Sequence, residues 1–439
     1  MMKNARSGYS VVSILIIFCA LLSGRVMAQA ADVQIDTLVA NVTPKVRAWR
    51  RDIHQHPELG NREVRTAALV ADHLRELGLE VKTGVAHTGV VALLRGGKPG
   101  PVVALRADMD ALPVTEQVDL PFASKVRTLY NGAEVGVMHA CGHDAHTAIL
   151  MGVAEVLQGM QEDLAGTVKF IFQPAEEGPP AGEEGGARLM VEEGVLENPK
   201  PDVIFGLHTF PAPTGVIGYR AGGAMAGADN LHILVEGKQT HGAVPWAGID
   251  PVVVASQIVL GLQLIPSRQL DSAKSATVIS IGSIHGGLRS NIIPDRVEME
   301  GTIRILDPSI RKDVLRRVEQ TAVSIAESSG ATATVTVRPY APVTYNDPAL
   351  TAKMVPTLRR VAGSGLLEVP PLTPSEDFAF FQEKIPGLYF FLGINAEGVG
   401  ADEAAANHSP LFYINEDAFP LGVEALSSLV LDYMAQAGK

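Results

Sequence analysis

The sequence predicts an α/β fold: a layered domain built on a central mixed sheet, interrupted by an inserted ferredoxin-like α+β unit. Three observations point to it. Short apolar runs bounded by turn residues alternate with helix-period segments along most of the chain. The texture changes between residues 223 and 339, where strands and helices follow the order β-α-β-β-α-β. The 439 residues, 46% apolar and 19% charged, have ordinary globular composition and enough chain for about two domains.

The elements follow in order. Lys3 and Arg6 precede the apolar run VVSILIIFCALL at 11–22, and Val26-Met27-Ala28 supplies the small residues of a cleavage site. This is the pattern of a secretory signal peptide over residues 1–28. Its apolar run is shorter than the ~20 residues a spanning helix needs, an uncleaved anchor being the alternative. No other segment reads as a bilayer span. The mature protein is therefore expected to be exported, periplasmic or secreted, without a membrane anchor. Cys19 lies in the leader and leaves Cys141 alone, so the mature chain can form no internal disulfide.

Helical patterns cover 42–53 and 66–77, the second ending at Gly78. Strand-like runs follow at 90–94, 102–105, 168–172 and 203–207, with a helix built on Ile149, Val153, Val156, Leu157 and Met160. In the inserted unit, strands are predicted at 230–237, 277–283, 296–305 and 332–338, and helices at 250–264 and 307–328. A helix at 348–363 and a strand at 388–392 return the chain to the first domain. The resulting division is 29–222 with 340–439 for one domain and 223–339 for the other. Asp and Glu total 48 against 36 Lys and Arg, a net charge of −12 that argues against nucleic-acid partners.

Chemistry-bearing residues collect after the predicted strands. Asp108 and Asp110 follow 102–105, Glu176 and Glu177 follow 168–172, and His208 follows 203–207. In open α/β sheets, ligands gather at the carboxyl ends of strands. Cys141 and His143, two apart at a loop-to-helix entry, supply sulfur and nitrogen donors suited to zinc and other divalent ions. Taken singly, each acidic pair reads as a solvated turn and Cys141 as a small buried residue; their convergence is the signal. Adjacent Glu176 and Glu177 raise each other's pKa, a conflict removed if a metal takes one and leaves the other as a general base. That division suits metal-assisted hydrolysis.

The strings RADMDALP (106–113), MHACGHDAH (138–146), QPAEEG (173–178), GLH (206–208), SEDFAFF (375–381) and NHSPLF (407–412) resemble the M20 metallopeptidase family. The likeness is to its amidohydrolase branch, which includes hippurate and indole-acetyl-amino-acid hydrolases, and runs from about Trp49 to Asp417. It implies a two-metal catalytic domain with an inserted lid and dimerisation domain, and a homodimer. It makes Cys141, His143, Glu177, His208 and His408 ligands of two divalent ions, zinc or manganese first, cobalt or nickel as further options. Cys141 would bridge the ions, and Glu176 becomes the general base for attack by metal-bound hydroxide. Asp108 becomes a supporting residue and Asp110 an orienter of a ligand imidazole. In the lid, His241 matches a histidine that holds the oxyanion, reaching in from a second subunit. Asn291 and Arg304 match positions that grip the substrate, against the plainer readings of a turn Asn and a surface Arg. Trp246 stands where the branch commonly carries histidine, which bears on specificity. His54 and His56 fit the family as packing or capping residues.

The expected activity is hydrolysis of N-acyl or N-aryl amino acids or related peptides. A dipeptidase or carboxypeptidase of the same family is the alternative, and a non-catalytic peptide-binding protein a remoter one.

Overall fold

The computed structural model describes residues 11–272, 276–400 and 402–437, with side chains from residue 33 onward. Helix α1 (Val11–Gln55) is longer than the expected 42–53 segment. It buries Ile35, Val39, Val42, Val46 and Ile53, spaced so that one apolar stripe faces the core. The expected leader falls on residues 1–10, outside the described ones, and on α1 residues whose side chains also lie outside them.

Helix α2 (Val64–Glu76) ends just before Gly78, which takes φ +78°. Strands β1 (Glu80–Val85), β2 (Gly89–Arg95) and β3 (Lys98–Asp108) follow. A hairpin of β4 (Arg127–Tyr130) and β5 (Ala133–Gly136) turns at Asn131-Gly132, both with positive φ. That is the conformation a two-residue hairpin loop requires. Then come α3 (His143–Gln158), β6 (Ala165–Gln173), α4 (Gly186–Glu192), β7 (Val203–Pro213) and β8 (Ile217–Tyr219).

Strand β9 (Gly222–Met225) leads into β10 (Gly227–Glu236), β11 (Thr240–His241), α5 (Pro251–Leu262), β12 (Thr277–Gly286), β13 (Ile292–Ile293), β14 (Arg296–Ile305), α6 (Arg311–Ser328) and β15 (Thr332–Ala341). The chain closes with β16 (Thr344–Asn346), α7 (Pro348–Ala362), β17 (Leu366–Glu368), α8 (Ala379–Gln382), β18 (Gly387–Asn395) and α9 (Phe419–Ala437).

The main sheet is mixed and eight-stranded, in the order β1-β2-β6-β3-β7-β18-β8-β17, with β6, β3, β7 and β18 mutually parallel. Both faces are covered, which is why its central strands read as continuous apolar runs. Leu105, Phe170, Phe205 and Phe390 pack on one side with α1, α3 and α9. Ala104, Ile171, Ile204 and Phe391 pack on the other against Met190 and Phe381, from α4 and α8. The fold class is as the sequence predicts.

The second sheet, β12-β14-β10-β15, is antiparallel throughout, the strand order of a ferredoxin-like unit. Helices α5 and α6 bury Val254, Ile258, Val314 and Val318 against Ile233, Val235, Met299 and Ile303, a core separate from the first. Asp250 caps α5, accepting from the N–H groups of Val252 and Val253. Contrary to expectation, two helices beyond the leader are long and apolar enough to cross a membrane by length and composition, Pro251–Gln269 and Glu416–Ala437. The second is largely buried in the main core. The first buries one side on its sheet and exposes Val252, Val253, Leu260 and Leu264.

Register decides where the sheet delivers its polar residues. Asp108 lies opposite Gln173, and Arg106 opposite Gly206, so Asp108, the loop after β6 and His208 reach one edge together. His208 stands within β7, which runs five residues past it to Pro213, and so does not follow the strand as expected. Behind this edge, α1 is fixed to α3 by a buried ion pair. Arg50 Nε donates to Asp144 Oδ2 at 2.8 Å, and His54 Nδ1 shares the same oxygen at 2.7 Å.

Replacing Arg50 with Met strands a buried carboxylate, and urea denaturation should show a loss of about 3–5 kcal/mol. The neighbouring Arg51→Met, which removes a half-exposed ion pair with Glu416, should cost less than about 1 kcal/mol. Equal losses would show that burial is not what gives the Arg50 pair its weight.

Candidate metal centre

The site is assembled at the amino end of α3. Gly142 caps that helix at φ +93°, and a side chain there would collide with Thr209 Oγ1, so glycine lets the Cys141–His143 corner press against β7. Across from it, the loop after β6 turns through Ala175 at φ +51° and Gly178 at φ +107°, presenting Glu176 and Glu177. A positive φ at alanine costs about 1–3 kcal/mol and persists only where the surroundings impose it. Here Ala175 N–H donates to the buried Glu63 carboxylate at 2.8 Å. His408, also at positive φ (+69°), enters from the carboxyl-terminal part and is pinned by its N–H to Ala140 O at 2.7 Å.

Cys141 is common to two groups of donors. One is Cys141, His143 and His208; the other is Cys141, Glu177 and His408. Within each group the donor atoms lie within 4.8 Å of one another. Cys141 Sγ is 3.5 Å from His208 Nε2, and His408 Nε2 is 3.0 Å from Glu177 Oε1. His208 Nδ1 donates to Thr209 O at 2.6 Å, which leaves the Nε2 lone pair facing the sulfur. Asp110 Oδ1 lies 3.1 Å from His143 Nδ1, and Oδ2 accepts from Glu177 N–H at 2.9 Å. One carboxylate therefore fixes both a histidine and the backbone of a glutamate. His143 Nε2 is buried and makes no hydrogen bond, the condition of a donor aimed at a cation.

His146 also lies close, grouped with Asp108 and His143. Both its nitrogens are committed, Nδ1 to Asp108 Oδ1 at 2.6 Å and Nε2 accepting Thr209 N–H at 2.9 Å. It braces the site and does not face the sulfur.

Electrostatics point the same way. Burial alone would lower His143, but Asp108 and Asp110 carry it well above its ordinary value. Burial, then the charges of Glu376, Glu177 and Asp377, push Glu176 well above the carboxylate range. Hydrogen bonds to Cys141 and Glu177 take His408 up to about 10. Burial raises Cys141 as well. Burial and the neighbouring His146 instead hold His208 well below its ordinary value, its ring nitrogen free to bind a cation, while cation binding would release protons from the raised groups.

The sequence-predicted residues thus separate into groups. Cys141, His143, Glu176, Glu177, His208 and His408 converge, with Asp108 and Asp110 behind them. Arg304 faces the adjoining cleft, its Nη1 donating to Ser375 Oγ at 2.9 Å, and no carboxylate pairs with it among the described residues. His241 and Asn291 do not join the site of their own chain. They sit side by side at the small two-stranded β11–β13 ribbon, exposed, with Gly242 N–H donating to Asn291 O at 2.8 Å. Trp246, 80% exposed, lies on the same projection. His54 is buried between Asp144 and Glu116.

Arg106 was missed by the sequence reading. Fully buried, it donates to Gln173, Asp108, Glu376, Asp377 and Tyr389 at 2.6–3.3 Å. A charged residue continuing a buried apolar run was the available signal.

Comparison with known proteins agrees with this geometry. Residues 104–432 match the model of peptidase family M20/M25/M40. Thermostable carboxypeptidase 2 of Saccharolobus solfataricus is 43% identical over 403 residues, covering 90% of this chain and 97% of that protein. N-acetylcysteine deacetylase of Bacillus subtilis is 40% identical over 384 residues, covering 87% and 95%. The solved structure of the Bacillus subtilis YXEP protein, a dinuclear metal binding peptidase from the M20 family, superimposes with a TM-score of 0.76 at 36% identity. It covers 90% of this chain and 99% of its own.

Asp110→Asn should leave the fold intact and weaken metal retention roughly 10–100-fold, since it loosens the imidazole it orients. Chelator competition with elemental analysis reads this directly. Unchanged retention would show that Asp110 does not support a ligand.

Proposed function

The chain belongs to peptidase family M20/M25/M40 and is a metal-dependent enzyme acting on C–N amide bonds, and from that premise we propose that it hydrolyses N-acyl amino acids. The observation that carries the reading is the sulfur of Cys141, common to two donor groups, with the Glu176 carboxylate beside them and given to neither. In this reading Cys141, His143 and His208 hold one divalent ion, and Cys141, Glu177 and His408 the other. Such ions, zinc or manganese before cobalt or nickel, would lower the pKa of water and polarise the amide carbonyl.

The chain's own residues do the rest. Glu176 Oε1 accepts only a weak hydrogen bond, from Asp377 N–H at 3.4 Å, and with cations bound beside it the carboxylate would take a proton from the attacking water. The same carboxyl then returns the proton to the leaving amine. The adjoining cleft, about 560 Å³, is lined by Met225, Phe210, Leu372 and Phe391 together with Arg304. Arg304, without an acidic partner among the described residues, suits the carboxylate of the released amino acid through its planar fork. A carboxypeptidase is the second reading. It is favoured by the carboxypeptidase relative, and Arg304 would serve a peptide's terminal carboxylate equally well.

Three further expectations belong to the proposal. The signal-peptide pattern supports export, and Cys141 as sole mature cysteine is compatible with an oxidising compartment if ligated. A homodimer through the inserted unit is supported by the exposed apolar residues of α5 and by β12, which forms an open edge of its sheet. In such a dimer His241 and Asn291, remote from their own site, would serve the partner copy's site.

Glu176→Gln should keep the metal content and lose at least ~10²-fold in kcat; near-normal turnover would remove Glu176 from its role. A panel of N-acyl amino acids, unblocked dipeptides and N-blocked peptides separates the two readings. Preference for N-acyl amino acids supports the first, and preference for peptides with a free carboxyl end replaces it with the second.

A further inference from the structure

The side-chain amide of Asn407 reaches the one atom that both donor groups share. Its Nδ2 lies 3.6 Å from Cys141 Sγ, 3.3 Å from Cys141 O and 3.4 Å from Thr209 O. Three acceptors around that end fix which way the amide points, because turned over it would set Oδ1 against two carbonyl oxygens and a sulfur. Nδ2 carries two hydrogens and accepts nothing, so toward the sulfur it can only donate. That separates it from the imidazoles nearby. His143, His208 and His408 each belong to a donor group with Cys141, and each presents a ring nitrogen whose lone pair a cation would take. A nitrogen so occupied gives the sulfur no hydrogen bond. With cations bound, Asn407 is then the one side-chain donor directed at Cys141 Sγ among the described residues.

The local fold delivers this amide. Segment 407–408 docks on the corner before α3 through consecutive residues: His408 N–H donates to Ala140 O at 2.7 Å, and Asn407 Nδ2 to Cys141 O, the next carbonyl along. Cys141 O also accepts from Thr209 Oγ1 at 3.3 Å, and Thr209 O also accepts from His208 Nδ1 at 2.6 Å. One amide therefore joins the three stretches of chain that bring in Cys141, His208 and His408. Its two contacts to oxygen are long for N–H···O bonds, as two hydrogens shared among three acceptors require. Of the three acceptors, only the sulfur gains a formal charge on becoming a ligand, and a charged acceptor roughly doubles the strength of such a bond. The sulfur is also buried, with the Glu177 carboxylate in its own donor group, where negative charge is disfavoured and an N–H most offsets it.

We propose that Asn407 is a positioning residue for the metal centre: its Nδ2–H holds the Cys141 thiolate in place and draws electron density from it, which leaves the ions that share the sulfur more electron-poor. The proposal rests on the assignment, given above, of Cys141 as a ligand common to both ions. It holds for either substrate reading, since both need an amide carbonyl polarised there. Hydrogen bonds to a ligating sulfur are a general lever on the electronic character of a metal site. A sulfur relieved of part of its charge donates less, and the ions it serves pull harder on the carbonyl. Asn407 acts through the sulfur, so its effect falls on turnover and not on the grip on substrate.

The test uses the full chain loaded with cobalt(II), whose thiolate-to-metal charge-transfer band in the near ultraviolet reports the electron density on the sulfur. Asn407→Leu and Asn407→Ser both remove the donor, the first keeping the bulk of the side chain and the second not. The position is half-buried in a segment that lines the cleft, so neither change touches the core. Both variants should move the band to longer wavelength by similar amounts, because a sulfur without its hydrogen bond gives up an electron more readily. Both should lower kcat by about tenfold or more on whichever substrate class the native protein prefers, with KM changed less than about twofold. A band that stays in place in both variants, or that shifts only with leucine, would overturn the role of Asn407 and leave the metal centre standing. A native cobalt protein without any thiolate band would instead remove Cys141 as a ligand, and the metal centre proposed above and the role of Asn407 would fall together.

Discussion

Buried negative charge at one edge of the main sheet is the constraint on which this molecule is built. Glu63, Asp108, Asp110, Glu376 and Asp377 are all nearly or wholly withdrawn from water, and Glu176 and Glu177 are mostly so. An unpaired carboxylate in such surroundings costs several kcal/mol or takes up a proton. Arg106 answers part of the demand, and its fork is used completely: Nε to Gln173, one terminal nitrogen to Asp108 and Tyr389, the other to Glu376 and Asp377. Lysine, a point charge with three donors, would not reach all of them. Even so, burial pushes Asp377 up to about 8 despite Arg106, and takes Glu63 to about 8 as well. Asp110, Glu176 and Glu177, which Arg106 does not reach, face Cys141 and the imidazoles. Positive charge is what that corner lacks, and bound divalent cations would supply it where the donors are already turned inward.

The precision of the corner comes from regular structure with special backbone at two points. Parallel pairing of β3 with β6 and β7 sets the heights of Asp108, the glutamate loop and His208 without reference to any side chain. Helix α3 supplies His143 and His146 one turn apart, the first facing the sulfur and the second braced on Asp108 and Thr209. Gly142 and the left-handed Ala175 are where sheet and helix geometry would otherwise hold the donors apart.

The central strands, the helices flanking them and the ferredoxin-like order were legible in the sequence because their apolar periods are long and consistent. The donors were legible because each follows or sits within such an element, in strings carrying several polar residues at once. Other features were not. Strands β1 and β4 are exposed over most of their length, so their residues show no alternation to read, although Asn131-Gly132 marks the hairpin turn. Arg106 was hidden by its own type, since a charge at a strand end reads as a surface residue until its five acidic and polar partners, up to 283 positions away, are seen around it. His241 and Asn291 show the opposite failure. Their local strings placed them with the site, but in the folded chain they stand exposed and apart from it.

The two sheets meet at a root that itself bears on the chemistry. Strand β9 pairs with β16, and Asn346 at the end of β16 uses its whole side chain there. Its Nδ2 donates to Arg220 O and Tyr389 O, both at 2.8 Å, and its Oδ1 accepts from Tyr389 N–H at 2.7 Å and Gln382 Nε2 at 3.0 Å. Tyr389 lies on β18, the neighbour of the strand that carries His208, and its hydroxyl donates to Glu376 in the Arg106 network. The root of the inserted unit is thus fastened to the same buried charges that organise the metal centre. Arg304 hangs from that unit, on β14, and meets Ser375 next to Glu376. The distance between the cation that suits a substrate carboxylate and the donors that suit the metals is consequently set through one continuous hydrogen-bonded path. A substitution in that path would change where the substrate is held before it changed what the metals do.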